Sequence, residues 1–121
     1  MMLTALLFWM VLLAGTAVPA GAAAPPLAIE DYSRTVDFTG KKLVLIMKGD
    51  DPSYADPALD DSGWTLISLP SDWSDYYPDW TGVCWYRLRL RFPERQPVHS
   101  VGIQLGVVSD VDELYLNGKL I

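Results

Sequence analysis

The sequence predicts an all-β fold, an antiparallel β-sandwich that follows an apolar signal segment. Three observations support this prediction. Apolar and polar residues alternate with a period of two in several short segments. Turn-forming residues separate these segments at short intervals, whereas the periodicity of amphipathic helices is nearly absent after Ala28. All nine Lys and Arg residues and all 15 Asp and Glu residues fall at or after Glu30.

Residues 1–24 are predicted to be a signal peptide. Residues 3–14 have the length and apolarity of a secretory h-region, and small residues over 18–24 offer cleavage sites. An uncleaved membrane anchor is the alternative, because the apolar tract approaches the roughly 20 residues that span a bilayer. The predicted domains are therefore a signal peptide over 1–24 and one β-sandwich domain over 25–121. We expect the protein to be exported, to the periplasm or to the extracellular face of a bacterial membrane.

The clearest strand signal covers residues 84–92, where two kinds of side chain alternate. One set is Cys84, Tyr86, Leu88, Leu90 and Phe92; the other is Trp85, Arg87, Arg89 and Arg91. This pattern predicts a half-buried strand with a basic outer face. The arginines then either pair with neighbouring acidic side chains or contact an adjoining domain. Cys84 is expected to point inward, where its thiol could not act as a nucleophile.

Four further segments are predicted as strands, namely residues 42–48, 64–69, 101–105 and 113–116. The first of these is a continuous apolar run between two lysines, which predicts burial on both faces. Asn117 and Gly118 favour the positive φ angles of a type I′ hairpin, so residues 119–121 should begin the returning strand. Because the chain ends there, we expect an incomplete sandwich with an exposed sheet edge, and aggregation of a chain freed of its leader.

Two long irregular stretches, residues 50–63 and 71–83, contain eight aspartates and no arginine or lysine. Carboxylates in flexible loops are typical ligands of Ca²⁺, although their spacing here matches no EF-hand loop. The weak candidates for a metal site are Asp50, Asp51, Asp60 and Asp61. Aspartate also stabilises turns and caps helices, and this is the competing interpretation. We therefore expect no cofactor, with Ca²⁺ as the alternative.

The second stretch also contains the candidate ligand-binding residues Asp72, Trp73, Tyr76, Tyr77 and Trp80. Flat rings beside carboxylates suit a sugar, because the rings contact the apolar face of a pyranose and the oxygens accept hydrogen bonds from its hydroxyls. Alternatively, the rings close one end of the core. No carboxylate pair is placed across a common pocket, so catalysis is not predicted. The net charge of −6 disfavours non-specific nucleic-acid binding.

Four short strings in the sequence together suggest a family. They are Asp60-Asp61-Ser62-Gly63-Trp64, Leu69-Pro70-Ser71-Asp72-Trp73, Gly82-Val83-Cys84-Trp85-Tyr86-Arg87 and Val111-Asp112-Glu113-Leu114-Tyr115-Leu116-Asn117-Gly118. In this order they resemble the N-terminal galactose-binding-like domain of glycoside hydrolase family 2 enzymes. The resemblance runs from about Gly40 to the end of the chain. It implies a jelly-roll sandwich without catalytic residues.

The same sandwich is similar to extracytoplasmic sensor regions of some bacterial membrane signalling proteins. The resemblance therefore implies the N-terminal fragment of such a protein, which senses a carbohydrate or another small ligand. The alternative is an accessory sugar-binding-like domain of a secreted glycoside hydrolase. In either case the expected partners are the ligand and downstream domains of the same polypeptide. Membrane attachment would come only from the signal segment or from C-terminal helices that this sequence does not contain.

Overall fold

The computed structural model describes residues 5–14, 24–31, 34–92, 102–106 and 111–121. Its strands are β1 (Ala5–Ala14), β2 (Leu27–Ala28), β3 (Lys42–Lys48), β4 (Thr65–Ser68), β5 (Cys84–Phe92), β6 (Val111–Leu116) and β7 (Lys119–Leu120). The described residues form no α-helix and two short 3₁₀ turns, Pro52–Ala55 and Trp73–Asp75. The all-β prediction is confirmed. No described helix has the length and apolarity needed to cross a bilayer.

The strands form one sheet in the order β4-β3-β5-β1-β6-β7, and β2 also pairs with β5. Strand β5 lies at its centre. Along one edge it pairs with β3 and then with β2, and along the other edge it pairs with β1. The β3–β4, β3–β5 and β6–β7 pairs are antiparallel, whereas β1 and β2 run parallel to β5. The sheet is therefore mixed rather than wholly antiparallel as expected from the sequence.

Strand β1 comes from the segment predicted to be a signal peptide. Its backbone pairs with β5 from Leu6 to Ala14 and with β6 from Ala5 to Met10. This pairing does not test whether export removes residues 1–24, so the signal peptide stays a prediction.

Strand β3 is buried on both faces, as its continuous apolar run predicts. Val44, Leu45 and Ile46 are each 0% exposed. Val44 and Ile46 pack with Ile67 and the inward residues of β5, while Leu45 points to the opposite face and packs with Trp64 and Trp85. Because successive side chains of a strand alternate between faces, the sheet carries an apolar cluster on each side.

The predicted half-buried character of β5 is wrong. Arg87 and Arg89 are each only 1% exposed, and of the three arginines in this strand only Arg91 is exposed. The reason is that the loop after β3 covers this face. Its carbonyl groups and the carboxylate of Asp61 accept hydrogen bonds from the buried guanidinium groups. The alternative in which the arginines pair with acidic neighbours is confirmed for Arg87 and Arg89.

The C-terminal hairpin agrees with the sequence. Asn117 has a φ of 49° and Gly118 a φ of 83°, positive at both central positions as a type I′ turn requires. Strand β7 then pairs with β6 through Leu116 and Lys119. The strand predicted at 101–105, in contrast, is not found in the described residues 102–105. Residues 102–106 have no strand pairing, and Val101 lies outside the described residues.

The error at 101–105 has a physical cause. An alternating pattern makes a strand only when a neighbouring backbone is placed to form the ladder, and the pattern itself cannot supply that neighbour. Gly106, directly after this segment, has a positive φ of 80°, a conformation that does not continue a strand.

Candidate functional site

The aromatic loop between β4 and β5 forms one wall of a cleft of about 200 Å³. Its lining residues are Lys48, Tyr76, Tyr77, Pro78, Asp79 and Trp80. Lys48 is the last residue of β3 and pairs with Cys84, the first residue of β5. The cleft therefore lies where β3 ends and β5 begins, next to the apolar cluster on the face of the sheet that includes Cys84.

A compact series of turns brings these side chains together. The carboxylate of Asp72 accepts hydrogen bonds from the backbone N–H of Ser74 at 2.9 Å and from its hydroxyl at 2.8 Å. The carbonyl of Trp73 then accepts from the N–H groups of Tyr76 and Tyr77, both at 3.0 Å. Asp72 thus fixes the start of the 3₁₀ turn in the manner of a helix N-cap.

Both principal rings of the cleft are held through their polar ends. The Tyr77 hydroxyl donates to the carbonyl of Ile46 at 3.3 Å, and Trp80 Nε1 donates to the carbonyl of Val83 at 3.1 Å. The Trp80 ring also lies against Gly82, where an added Cβ would be only 3.2 Å from the ring. These contacts fix the rings before any ligand arrives, which reduces the entropy lost on binding.

An ammonium group lies over both rings. Lys48 Nζ is 5.5 Å from the centroid of the Tyr77 ring and 5.4 Å from that of the Trp80 ring. Both distances are within the range of a cation–π contact. The cleft thus combines two ring surfaces, one cation and the carboxylate of Asp79.

The candidate ligand-binding residues have different positions. Tyr76, Tyr77 and Trp80 lie together in the cleft, whereas Asp72 and Trp73 are not among its lining residues. Asp72 is exposed, and hydrogen bonds from the backbone and side chain of Ser74 lower the pKa of its carboxyl. Trp73 packs against the core, as do the three cleft aromatics, so the loop also covers the core. Sequence reasoning missed Lys48, whose only signal was its position directly after the apolar run.

The aspartates proposed as metal ligands are not assembled into a site. The described part of the chain contains no group of three or more His, Cys, Asp or Glu residues placed to hold a metal ion. Asp51 and Asp60 instead accept hydrogen bonds from the backbone N–H groups of Ser53 and Ser62, which lower the pKa of both carboxyls. Asp50 is exposed and Asp61 is buried. These contacts agree with the turn interpretation.

Asp61 belongs to a buried ionic cluster on the other face of the sheet. Its Oδ2 accepts hydrogen bonds from Arg87 Nη1 at 3.0 Å and from Arg89 Nη2. Arg87 also donates to the carbonyls of Tyr54, Asp56 and Leu59 and stacks over the Trp64 ring. Burial lowers the pKa of Arg87 to about 10, while the hydrogen bond and charge of Asp61 oppose that shift. This cluster attaches the loop between β3 and β4 to the sheet.

Cys84 is fully buried, and burial raises the pKa of its thiol to about 11. The inward orientation predicted for it is confirmed. We expect iodoacetamide at pH 8 to leave Cys84 unmodified in the folded chain and to alkylate it fully in 8 M urea, because only the exposed thiolate reacts. Mass spectrometry measures both products. Rapid alkylation of the folded chain would contradict the burial.

Comparison with protein-family models, with curated proteins and with solved structures found no match. The resemblance to the N-terminal domain of glycoside hydrolase family 2 enzymes therefore rests on the four sequence strings alone. It stays a hypothesis.

Proposed function

We propose that this chain is a non-catalytic, exported binding module that takes a small carbohydrate ligand in the cleft at Tyr77 and Trp80. The observation that carries the proposal is that two ring surfaces, those of Tyr77 and Trp80, are held in place beside one positive and one negative side chain, Lys48 and Asp79. Apolar walls with a few convergent polar groups are typical of small-molecule sites. The cleft is smaller than the roughly 300–1,000 Å³ of sites for drug-sized ligands, so it suits a single sugar residue.

The same proposal includes a sensor role at a bacterial membrane and a jelly-roll sandwich. The uncharged segment before Glu30 supports export. The apolar clusters on both faces of the sheet support a layered fold, because each face of a sheet must be covered in a sandwich. Signalling would then require further domains that respond when the cleft is occupied.

The second candidate function is an accessory domain of a secreted glycoside hydrolase. The packing of all four loop aromatics against the core favours it, because such packing stabilises the loop without any ligand. In this alternative the cleft contributes at most one wall to the active site of a neighbouring catalytic domain. A sugar would then fail to bind this chain alone.

Titration of the full chain with a panel of monosaccharides and disaccharides tests the proposed function. We expect a change in Trp fluorescence, and we expect Tyr77→Ala to weaken binding about tenfold or more because a central ring contact is lost. Isothermal titration calorimetry measures the dissociation constants. Tyr115→Ala is the matched control, since Tyr115 packs beside Trp85 on the opposite face of the sheet.

The control variant should bind as the parent chain does. If no sugar in the panel gives heat or a fluorescence change, the carbohydrate proposal is wrong and the accessory role is favoured. If Tyr77→Ala and Tyr115→Ala bind sugar equally well, the ligand binds outside the cleft.

A further inference from the structure

Lys48 has an unusual environment for an exposed lysine in an acidic chain. It is the only Lys or Arg between residues 43 and 86, a region with eight aspartates. Nevertheless it makes no ion pair with any described residue, and its ammonium group contacts the faces of Tyr77 and Trp80 instead. Asp79 lines the same cleft without pairing with it. The cleft therefore contains a cation whose charge no carboxylate of the described chain neutralises directly.

A cation–π contact at a solvent-exposed site is weaker than a charge-assisted hydrogen bond between an ammonium and a carboxylate. An anionic group that enters the cleft can therefore draw Lys48 Nζ away from the rings. The flexible lysine side chain allows this movement, and the ring faces that it uncovers become free for the apolar face of a sugar. A neutral sugar offers no comparable interaction, so it would have to compete with the resident ammonium group.

Repulsion from the aspartates opposes this effect, and Asp79 exerts it within the cleft itself, so the carboxylate of the ligand must lie on the Lys48 side. At physiological ionic strength the Debye length is about 8 Å, so exposed charges farther away are largely screened. A carboxylate in direct contact with Lys48 is screened much less. The attraction between this carboxylate and Lys48 therefore outweighs the long-range repulsion that arises from the net charge of −6.

We propose that the cleft selects acidic saccharides, with Lys48 as the residue that determines specificity for a uronic acid carboxylate. Tyr77 and Trp80 contact the sugar ring, and Asp79 accepts a hydrogen bond from a hydroxyl. This inference rests on the proposed function and specifies its ligand class.

Calorimetric titration of the full chain with methyl β-D-glucuronide and methyl β-D-glucoside tests the proposal. We expect the glucuronide to bind about tenfold more tightly, because one charge-assisted hydrogen bond distinguishes the two ligands. Lys48→Gln should abolish this preference, because it weakens glucuronide binding and also removes the ammonium group that competes with the glucoside for the ring faces. Lys48→Arg should restore most of it, and Lys42→Gln, at the other exposed end of β3, should leave it unchanged.

The outcomes separate this inference from the proposed function. If both sugars bind the parent chain equally and Lys48→Gln changes neither affinity, acid selectivity is wrong while sugar binding stands. If neither sugar binds and the wider panel gives no response, both proposals fail. If Lys48→Gln instead creates binding of choline, Lys48 fills a site for cationic ligands, and the proposal is overturned.

Discussion

Asp61→Asn is expected to lower the free energy of unfolding by about 3–5 kcal/mol, the usual cost of removing one partner from a buried ion pair. Asp61 is 0% exposed and is the carboxylate that both Arg87 and Arg89 contact. The neutral amide would leave two buried guanidinium groups facing each other without the negative charge between them. Urea denaturation followed by circular dichroism measures the change.

Asp60→Asn is the matched control for Asp61→Asn. Asp60 is the preceding residue and is exposed, and its side chain accepts a local hydrogen bond from Ser62 that an asparagine oxygen can also accept. Its denaturation midpoint should stay that of the parent chain. Adding Arg89→Leu to Asp61→Asn should recover part of the lost stability, because it removes one of the uncompensated charges. Equal midpoints for the Asp60 and Asp61 variants would show that the buried cluster does not stabilise the fold.

A chain that begins at Pro25 is expected to lose cooperative unfolding and to aggregate. Strand β1 lies between β5 and β6, so its removal leaves one edge of β5 unpaired and separates the β6–β7 hairpin from the rest of the sheet. Unpaired strand edges are templates for association with other chains. Size-exclusion chromatography and urea denaturation of the shortened chain measure the effect.

The control for this deletion is a chain that lacks only residues 1–4 and therefore keeps β1. It should have the same elution volume and the same unfolding midpoint as the full chain. A shortened chain that begins at Pro25 and still unfolds cooperatively as a monomer would show that β1 is not needed in the sheet. The expected aggregation requires that the exported protein keeps residues 5–14, so it opposes the predicted removal of residues 1–24, whereas a folded shortened chain would agree with that removal. N-terminal sequencing of the exported protein tests that removal directly.

The candidate site was predictable only in part. Four aromatics within eight residues predict a ring-rich surface, and Tyr76, Tyr77 and Trp80 do line the cleft. Lys48 could not be assigned to it, because it is separated from Tyr77 by a loop, a strand and a turn. The pairing of Lys48 with Cys84 brings it to the same end of the sheet, and that pairing depends on the register of β3 against β5.

The sequence by itself determined the local elements. The apolar run of β3, the alternation in β5 and β6, and the Asn117-Gly118 turn each set a backbone conformation through neighbouring residues. Tertiary structure decided which face of the sheet is shielded from water, which segments pair with a neighbouring strand, and which charged side chains form ion pairs. The burial of Arg87 and Arg89 depends on Asp61, which lies 26 and 28 positions earlier in the chain. Periodicity reports the direction in which a side chain points, but only the loop folded over that face determines whether it meets water or a carboxylate.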